Sequence, residues 1–209
     1  MIGAKCKICR RAGQKLFLKG DRCFSPKCAI VRRPYPPGVH GQKSRPSRSE
    51  FGLQLAEKRK LEASYHIDER DLKRIVKEGS STRPQNLDIA DMIVNRLESR
   101  LDNVIYRLGF VVSRSVARQL VSHGHFYIND RRMDIPSYLL RIGDKVSIRP
   151  ASKDKSPFKN MASHLEKYTP PSWIELDKQE LNGKVIGVPN RSEIGLPVDL
   201  SMIVAYYSR

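Results

Sequence analysis

Between Leu97 and Leu108 the apolar residues Leu97, Leu101, Val104, Ile105 and Leu108 return every three or four positions. That period confines the segment to one face of a helix, while Arg96, Arg100, Asn103 and Arg107 share the spacing on another face. After Gly109, Ser113 stands where an N-cap would accept a hydrogen bond from free amides, and Gly124 is placed to end a second helix in a left-handed conformation. That helix carries Arg114 and Arg118 outward and Val116, Ala117, Leu120 and Val121 inward. Phe126-Tyr127-Ile128 and Lys145-Val146-Ser147-Ile148 read as strands, with turns at Asn129-Asp130 and Gly143-Asp144. The stretch Leu97–Pro150 is thus predicted to be a small helix-helix-β module, aliphatic on its packed side and arginine-rich elsewhere.

Charge decides what such a module would meet. The formal net charge of +17 over 209 residues disfavours self-association and attracts polyanions, nucleic acid before an anionic membrane surface. The apolar runs are too short to span a bilayer, and Met1-Ile2-Gly3-Ala4-Lys5 leads straight into charge rather than a signal peptide. A cytoplasmic protein with no membrane partner is expected.

The first 48 residues hold thirteen Lys or Arg residues and one acid, Asp21. They also hold Cys6, Cys9, Cys23 and Cys28. The two-residue gap between Cys6 and Cys9 lets both thiolates face one metal, and the other pair can complete a tetrahedral set. Neighbouring cations should lower the thiol pKa values. Zinc is the expected ion; an iron–sulfur cluster is the alternative. Arg32 to Gly41 is too rich in proline and glycine for regular structure and reads as a stiff RNA-contacting arm. Ser47 with Glu50 has capping-box spacing before a helix from Phe51 to about Ser64, which carries the basic run Lys58-Arg59-Lys60. Asp68 should cap a helix through Val76, and Leu87 to Val94 is helical. Beyond Pro150 come a short helix from Met161 to Tyr168, strands at Trp173–Leu176 and Lys184–Val188, and an apolar segment from Val198 to Tyr207. The expected class is α+β: a mostly helical lobe (49–95, completed by 151–209), an N-terminal four-cysteine metal segment (1–48) and the inserted module (96–150).

No phosphate-binding loop, dinucleotide fingerprint, nucleophile elbow or zinc-protease motif occurs. Ser99-Arg100-Leu101-Asp102 superficially resembles the Arg-Leu-Asp core of pseudouridine synthases. Here Asp102 continues into a helix, where it would pair with an arginine or face solvent, so no enzymatic role is assigned. An RNA-modifying enzyme and a DNA-binding regulator with a zinc motif are the competing readings.

Cys6-x-x-Cys9-Arg10-Arg11, Leu16-Phe17-Leu18-Lys19-Gly20, Ser25-Pro26-Lys27-Cys28, Arg33-Pro34-Tyr35-Pro36-Pro37-Gly38-x-His40-Gly41, Glu98-x-Arg100-Leu101-Asp102-Asn103, Arg118-Gln119-Leu120-Val121-x-His123-Gly124-His125 and Tyr206-Tyr207-Ser208-Arg209 together resemble the bacterial small ribosomal subunit protein four family, in its four-cysteine form. The resemblance covers almost the whole chain. One departure is Asp130, where the family usually places the glycine of an Asn-Gly turn; a strained or differently closed hairpin is expected.

The resemblance implies a structural protein that binds 16S rRNA early at a junction of several helices and nucleates the 30S body. It also implies contact with ribosomal proteins five and three, a place beside the path by which messenger RNA enters, and an influence on decoding accuracy. Matching positions give Arg100, Arg107, Ser113, Arg114, Arg118, Gln119, His123, Gly124 and His125 as RNA-facing. Lys43, Arg45 and Arg48 are the messenger-path candidates. Arg10, Arg11, Arg32, Arg33, His40, Lys58, Arg59, Lys60, Arg131 and Arg132 complete the RNA-binding candidates. For Arg100 the competing role is an intramolecular pair with Asp102 or Glu98.

Overall fold

The computed structural model describes residues 4–43, 47–81, 88–153, 155–158, 161–166 and 168–208. In chain order the helices are α1 (Lys5–Ala12), α2 (Ala29–Arg32), α3 (Glu50–Tyr65), α4 (Glu69–Ser81), α5 (Ile89–Glu98), α6 (Leu101–Arg107), α7 (Arg114–Ser122), α8 (Met161–Glu166), α9 (Arg191–Ile194) and α10 (Leu200–Tyr207). The strands are β1 (Phe126–Ile128), β2 (Arg131–Met133), β3 (Lys145–Ile148), β4 (Ile174–Asp177) and β5 (Asn182–Val185). The class is α+β, as the sequence implies. The chain divides into two compact units, residues 1–93 with 196–209, and residues 94–195, and α5 runs across the boundary. Among the described residues no helix is long and apolar enough to cross a membrane.

The first unit is helical. α3 is capped by Ser49, whose hydroxyl accepts the Gly52 amide at 3.3 Å. The cap lies two residues beyond the expected Ser47, because Ser49 is the residue left in extended backbone just before the first helical turn. Asp68 caps α4 by accepting the Asp71 amide at 2.9 Å, and Leu72, Ile75 and Val76 are buried as their spacing predicts. α10 lies along α3: the Phe51 and Tyr206 rings stack at 5.6 Å, and Glu57 accepts the Asp199 amide at 3.1 Å. Around the cysteines a much smaller apolar cluster of Cys9, Leu16 and Ala63 forms, with Ile8, Ala12 and Leu18 packed on it.

In the second unit the apolar period from Leu97 to Leu108 is kept, but one helix becomes two. Arg100 takes an extended conformation with ψ 140°. The break is held by the strand-like partners of its neighbours: Leu101 N–H donates to the Tyr138 carbonyl at 2.8 Å and Leu140 N–H to that of Ser99 at 2.9 Å. Asn103 Nδ2 then donates to the Glu98 carbonyl at 3.0 Å, satisfying an acceptor at the end of α5. Leu101, Val104, Ile105 and Leu108 remain buried, with Ala117, Leu120 and Val121 of α7, against the sheet residues Phe126, Ile128, Val146 and Ile148.

The sheet is antiparallel throughout, in the order β2-β1-β3-β5-β4. Asn129 and Asp130 both have positive φ, 48° and 63°, the pattern of a two-residue hairpin turn. Asn129 stabilises it by accepting the Lys145 amide at 2.9 Å and donating to Asp144 at 2.8 Å. The hairpin therefore closes in the ordinary register, with the conformational cost carried at Asp130. A second correction concerns the module's end. Residues 151–195 do not complete the helical lobe, as their sequence suggests: β5 pairs directly with β3, with Val146 opposite Gly183, and the unit extends through Gly195. The edge of β3 offers unpaired amides and carbonyls that a further strand satisfies, and that demand is invisible to a reading that stops at Pro150.

Gly183 is needed at that join for steric reasons. A β-carbon there would sit 2.4 Å from Leu108 Cδ2, in the buried layer between α6 and the sheet. Replacing Gly183 by Ala should cost about 1–3 kcal/mol of stability, measured by denaturant unfolding; an unchanged midpoint would show that Leu108 can move aside freely.

Candidate nucleic-acid interface

The organising group of the second unit is an acid. The Glu98 side chain is fully buried, and its carboxylate accepts Arg107 Nε and Nη2, each at 2.9 Å, and Asn103 Nδ2 at 2.7 Å. Arg114 approaches the same carboxylate at 3.8 Å, donates from Nε to Asn103 Oδ1 at 2.6 Å, and lies over the Tyr106 ring at 4.6 Å. Tyr168 fixes the far end of α6 by donating its hydroxyl to the Arg107 carbonyl at 2.9 Å. One buried negative charge thus holds two guanidinium groups that remain partly accessible, at 19% and 16% side-chain exposure. Their planar forks are oriented before any ligand arrives, so less side-chain entropy is lost on contact with phosphate.

Arg100 does not belong to this surface. Its Nε and Nη2 meet both oxygens of Asp102 at 3.1 and 2.9 Å, and both side chains are buried. The expectation that Arg100 faces RNA is corrected: the extended backbone at the helix break turns its side chain inward. The same pair occupies Asp102. Ser113, also expected at the interface, is buried and its hydroxyl meets Ser115 Oγ at 3.1 Å, with no cap bond to α7.

The end of α7 and the β1–β2 hairpin bring a second group together. Gly124, buried with φ +69°, lies against Arg132, whose Nε would be 2.5 Å from any β-carbon placed there. The His123 and His125 rings are 6.1 Å apart. His123, Gln119, Arg131 and Arg132 are exposed, and Arg118 is half-buried. His125 is half-buried, with Nδ1 2.9 Å from Ser152 Oγ. Burial, with smaller contributions from Lys155, His123 and Arg149, pushes its pKa down, so this imidazole is neutral at neutral pH and serves as a hydrogen-bonding group rather than a charge.

In the first unit several basic candidates are already engaged. Arg10 holds the Pro-rich arm, donating to the carbonyls of Arg33, Tyr35 and Pro36 at 3.1, 2.9 and 3.3 Å and stacking over Tyr35. Lys58 is buried, 2.6 Å from Glu69 and over the Tyr206 ring. Its place in a basic run suggests a phosphate contact; packing of α10 on α3 corrects that by enclosing the ammonium. Arg11, Arg32, Arg33, His40, Lys43, Arg48 and Arg59 are exposed, and Lys60 is half-buried with Glu57 beside it. Arg45 lies outside the described residues.

Cys6, Cys9, Cys23 and Cys28 line one cavity of about 20 Å³, room for a single atom or ion. All four are free thiols. The Lys19 amide donates to Cys23 Sγ at 3.4 Å. Among the described residues no group of three or more His, Cys, Asp or Glu side chains stands ready to hold a metal ion, so the thiols converge on a common space without being drawn onto a common centre. Burial pushes the Cys9 thiol up, opposed by a hydrogen bond from the Leu16 backbone and reinforced by the other three cysteines. The expected lowering by adjacent cations is not found at Cys9, where burial is the largest influence. Four thiols lining one small cavity are the kind of donor that a tetrahedral thiolate site uses.

Sequence reasoning missed Glu98 and Asn103 as organisers. Their partners lie five, nine and sixteen positions from Glu98, a spacing that no single helix produces; the break at Arg100 creates it.

A family model for the Ribosomal protein S4/S9 N-terminal domain matches residues 1–93, and one for the S4 domain matches residues 99–146. The chain is 46% identical over 204 residues to the small ribosomal subunit protein uS4 of Syntrophomonas wolfei, covering 98% of this chain and 96% of the relative. It is 46% identical over 207 residues to that of Desulfitobacterium hafniense, covering 99% and 98%. With the uS4 of Thermus thermophilus it shares 43% identity over 208 residues, covering 100% and 98%.

Changing Glu98 to Gln keeps the shape but removes the charge that holds Arg107 and Arg114. Thermal or denaturant unfolding should show a loss of about 2 kcal/mol; an unchanged or raised stability would mean that the two arginines orient themselves without it.

Proposed function

Because the chain belongs to the small ribosomal subunit protein uS4 family, we propose that it acts through the Glu98-anchored arginines, which meet rRNA where helices converge. It is a structural protein of the small ribosomal subunit that binds rRNA. In this reading the target is a multi-helix junction of 16S rRNA, bound early so that the 30S body nucleates around it. A junction crowds phosphates and presents shallow minor grooves, and a fixed set of guanidinium forks recognises that shape without reading base sequence. The observation that carries the reading is the pair Arg107 and Arg114 held on one buried carboxylate.

Arg118, Gln119, His123, Arg131 and Arg132 extend the surface along α7 and the hairpin. Lys43, Arg45 and Arg48 are assigned to the path by which messenger enters, with an effect on decoding accuracy, and ribosomal proteins five and three are its protein neighbours. These assignments rest on the family resemblance together with the exposure of Lys43 and Arg48.

Titrating small-subunit rRNA with the protein should give an affinity that falls steeply with salt, at roughly −0.7 to −0.9 in log–log slope per neutralised phosphate. Arg131→Glu, at an exposed hairpin position, should weaken binding and flatten the slope while leaving the melting temperature in place. A flat titration of the unaltered chain would contradict the mechanism.

Cys6, Cys9, Cys23 and Cys28 are proposed to hold zinc, with an iron–sulfur cluster as the alternative. The metal would supply cross-linking that the small cluster around Cys9 cannot provide alone. Metal analysis of protein purified without chelator should find about one zinc per chain, and its removal should loosen residues 4–33 in hydrogen exchange. Equal exchange with and without chelator, together with four freely titratable thiols, would contradict the assignment.

A further inference from the structure

A second feature of the first unit points to a more specific RNA contact. α1 and α3 enclose a groove of about 760 Å³, within the ~300–1,000 Å³ range of sites that seat a small organic group. Its floor is apolar: Ile8 and Ala12 from α1, Gly52, Leu55 and Ala56 from α3, all half-buried. Its rim is cationic, with Lys7, Arg11, Arg48, Arg59 and Lys60. Lys60 is engaged by Glu57. Lys7, Arg11 and Arg48 form no ion pair with any described residue. One acid, Glu62, lines the groove; it is buried, with one carboxylate oxygen lacking a hydrogen-bond partner and 3.6 Å from Lys58.

An entirely ionic contact would not need the apolar floor, and an aliphatic peptide segment would not need five cations around it. A nucleotide taken out of its stack satisfies both demands: its base covers aliphatic surface while its phosphates stay at the basic rim. We propose that the groove between α1 and α3 receives one unstacked nucleotide of the rRNA, with the base on Ile8, Leu55 and Ala56 and its phosphates on Lys7 and Arg11. The inference rests on the rRNA-binding reading and adds a site that the shape-reading arginines of the second unit do not supply.

The test uses the full chain and small-subunit rRNA. Ala56→Trp fills the floor and leaves every rim cation in place. It should lower affinity by about tenfold, the size of a lost base contact, with the melting temperature unchanged. Photo-leucine at position 55, nearly isosteric with leucine, should cross-link on irradiation to an unpaired nucleotide of the rRNA. Three results would overturn the inference while leaving the parent reading intact: full affinity in Ala56→Trp, cross-links confined to paired nucleotides or to protein, or no cross-link while binding is normal. Failure of the unaltered chain to bind the rRNA would overturn the parent reading and this inference with it.

Discussion

The second unit depends on where one buried carboxylate is allowed to keep its charge. Glu98 has no solvent to stabilise it, so two hydrogen bonds from Arg107 and one from Asn103 must do so. The chain breaks at Arg100, between the acid and its partners, and Asn103 spans that break with its side chain. The same arrangement that satisfies Glu98 fixes Arg107 and Arg114 at the partly open surface of α6 and α7. A buried ion pair is weak evidence for stability in general. Here its consequence is orientation: two flexible cationic side chains are reduced to a narrow set of positions before RNA is met.

The remaining charges divide by the same criterion of what already holds them. Arg100, Arg10 and Lys58 are engaged inside the protein, on Asp102, on the Pro-rich arm and on Glu69 with the Tyr206 ring. The exposed cations on the β1–β2 hairpin and around the α1–α3 groove are those left for a polyanion. A net charge of +17 explains attraction to RNA in general; it does not explain which side chains touch it. Selection comes from packing, which removes some arginines from the surface and fixes others upon it.

Much of this is legible in the sequence, and the misses share a cause. The period from Leu97 to Leu108 locates the core face, and Gly124 has the left-handed conformation expected at the end of α7. Asn129-Asp130 is a turn in both. What the linear pattern cannot carry is pairing between distant segments. The helix break at Arg100 depends on hydrogen bonds with residues 138 and 140, and the turn of Arg100 inward follows from it. The extension of the sheet by β5 depends on an open edge of β3. Lys58 reads as one of three surface cations until α10, some 140 residues later, covers it. The cysteines show the converse: their spacing suggests a common site and all four line one cavity, while the pKa direction at Cys9 is set by burial that local sequence does not report. The family motifs are specific over nearly the entire chain, yet they cannot separate Arg107, presented on Glu98, from Arg100, buried on Asp102.

The central claim is that arginines held by Glu98 recognise a junction shape in rRNA rather than polyanion in general. Hydroxyl-radical footprinting of protein-free small-subunit rRNA measures this most directly. One protected region is expected, in which the backbones of several helices meet, retained in the presence of excess unrelated duplex RNA. Protection spread evenly along the rRNA, or erased by that competitor, would contradict it.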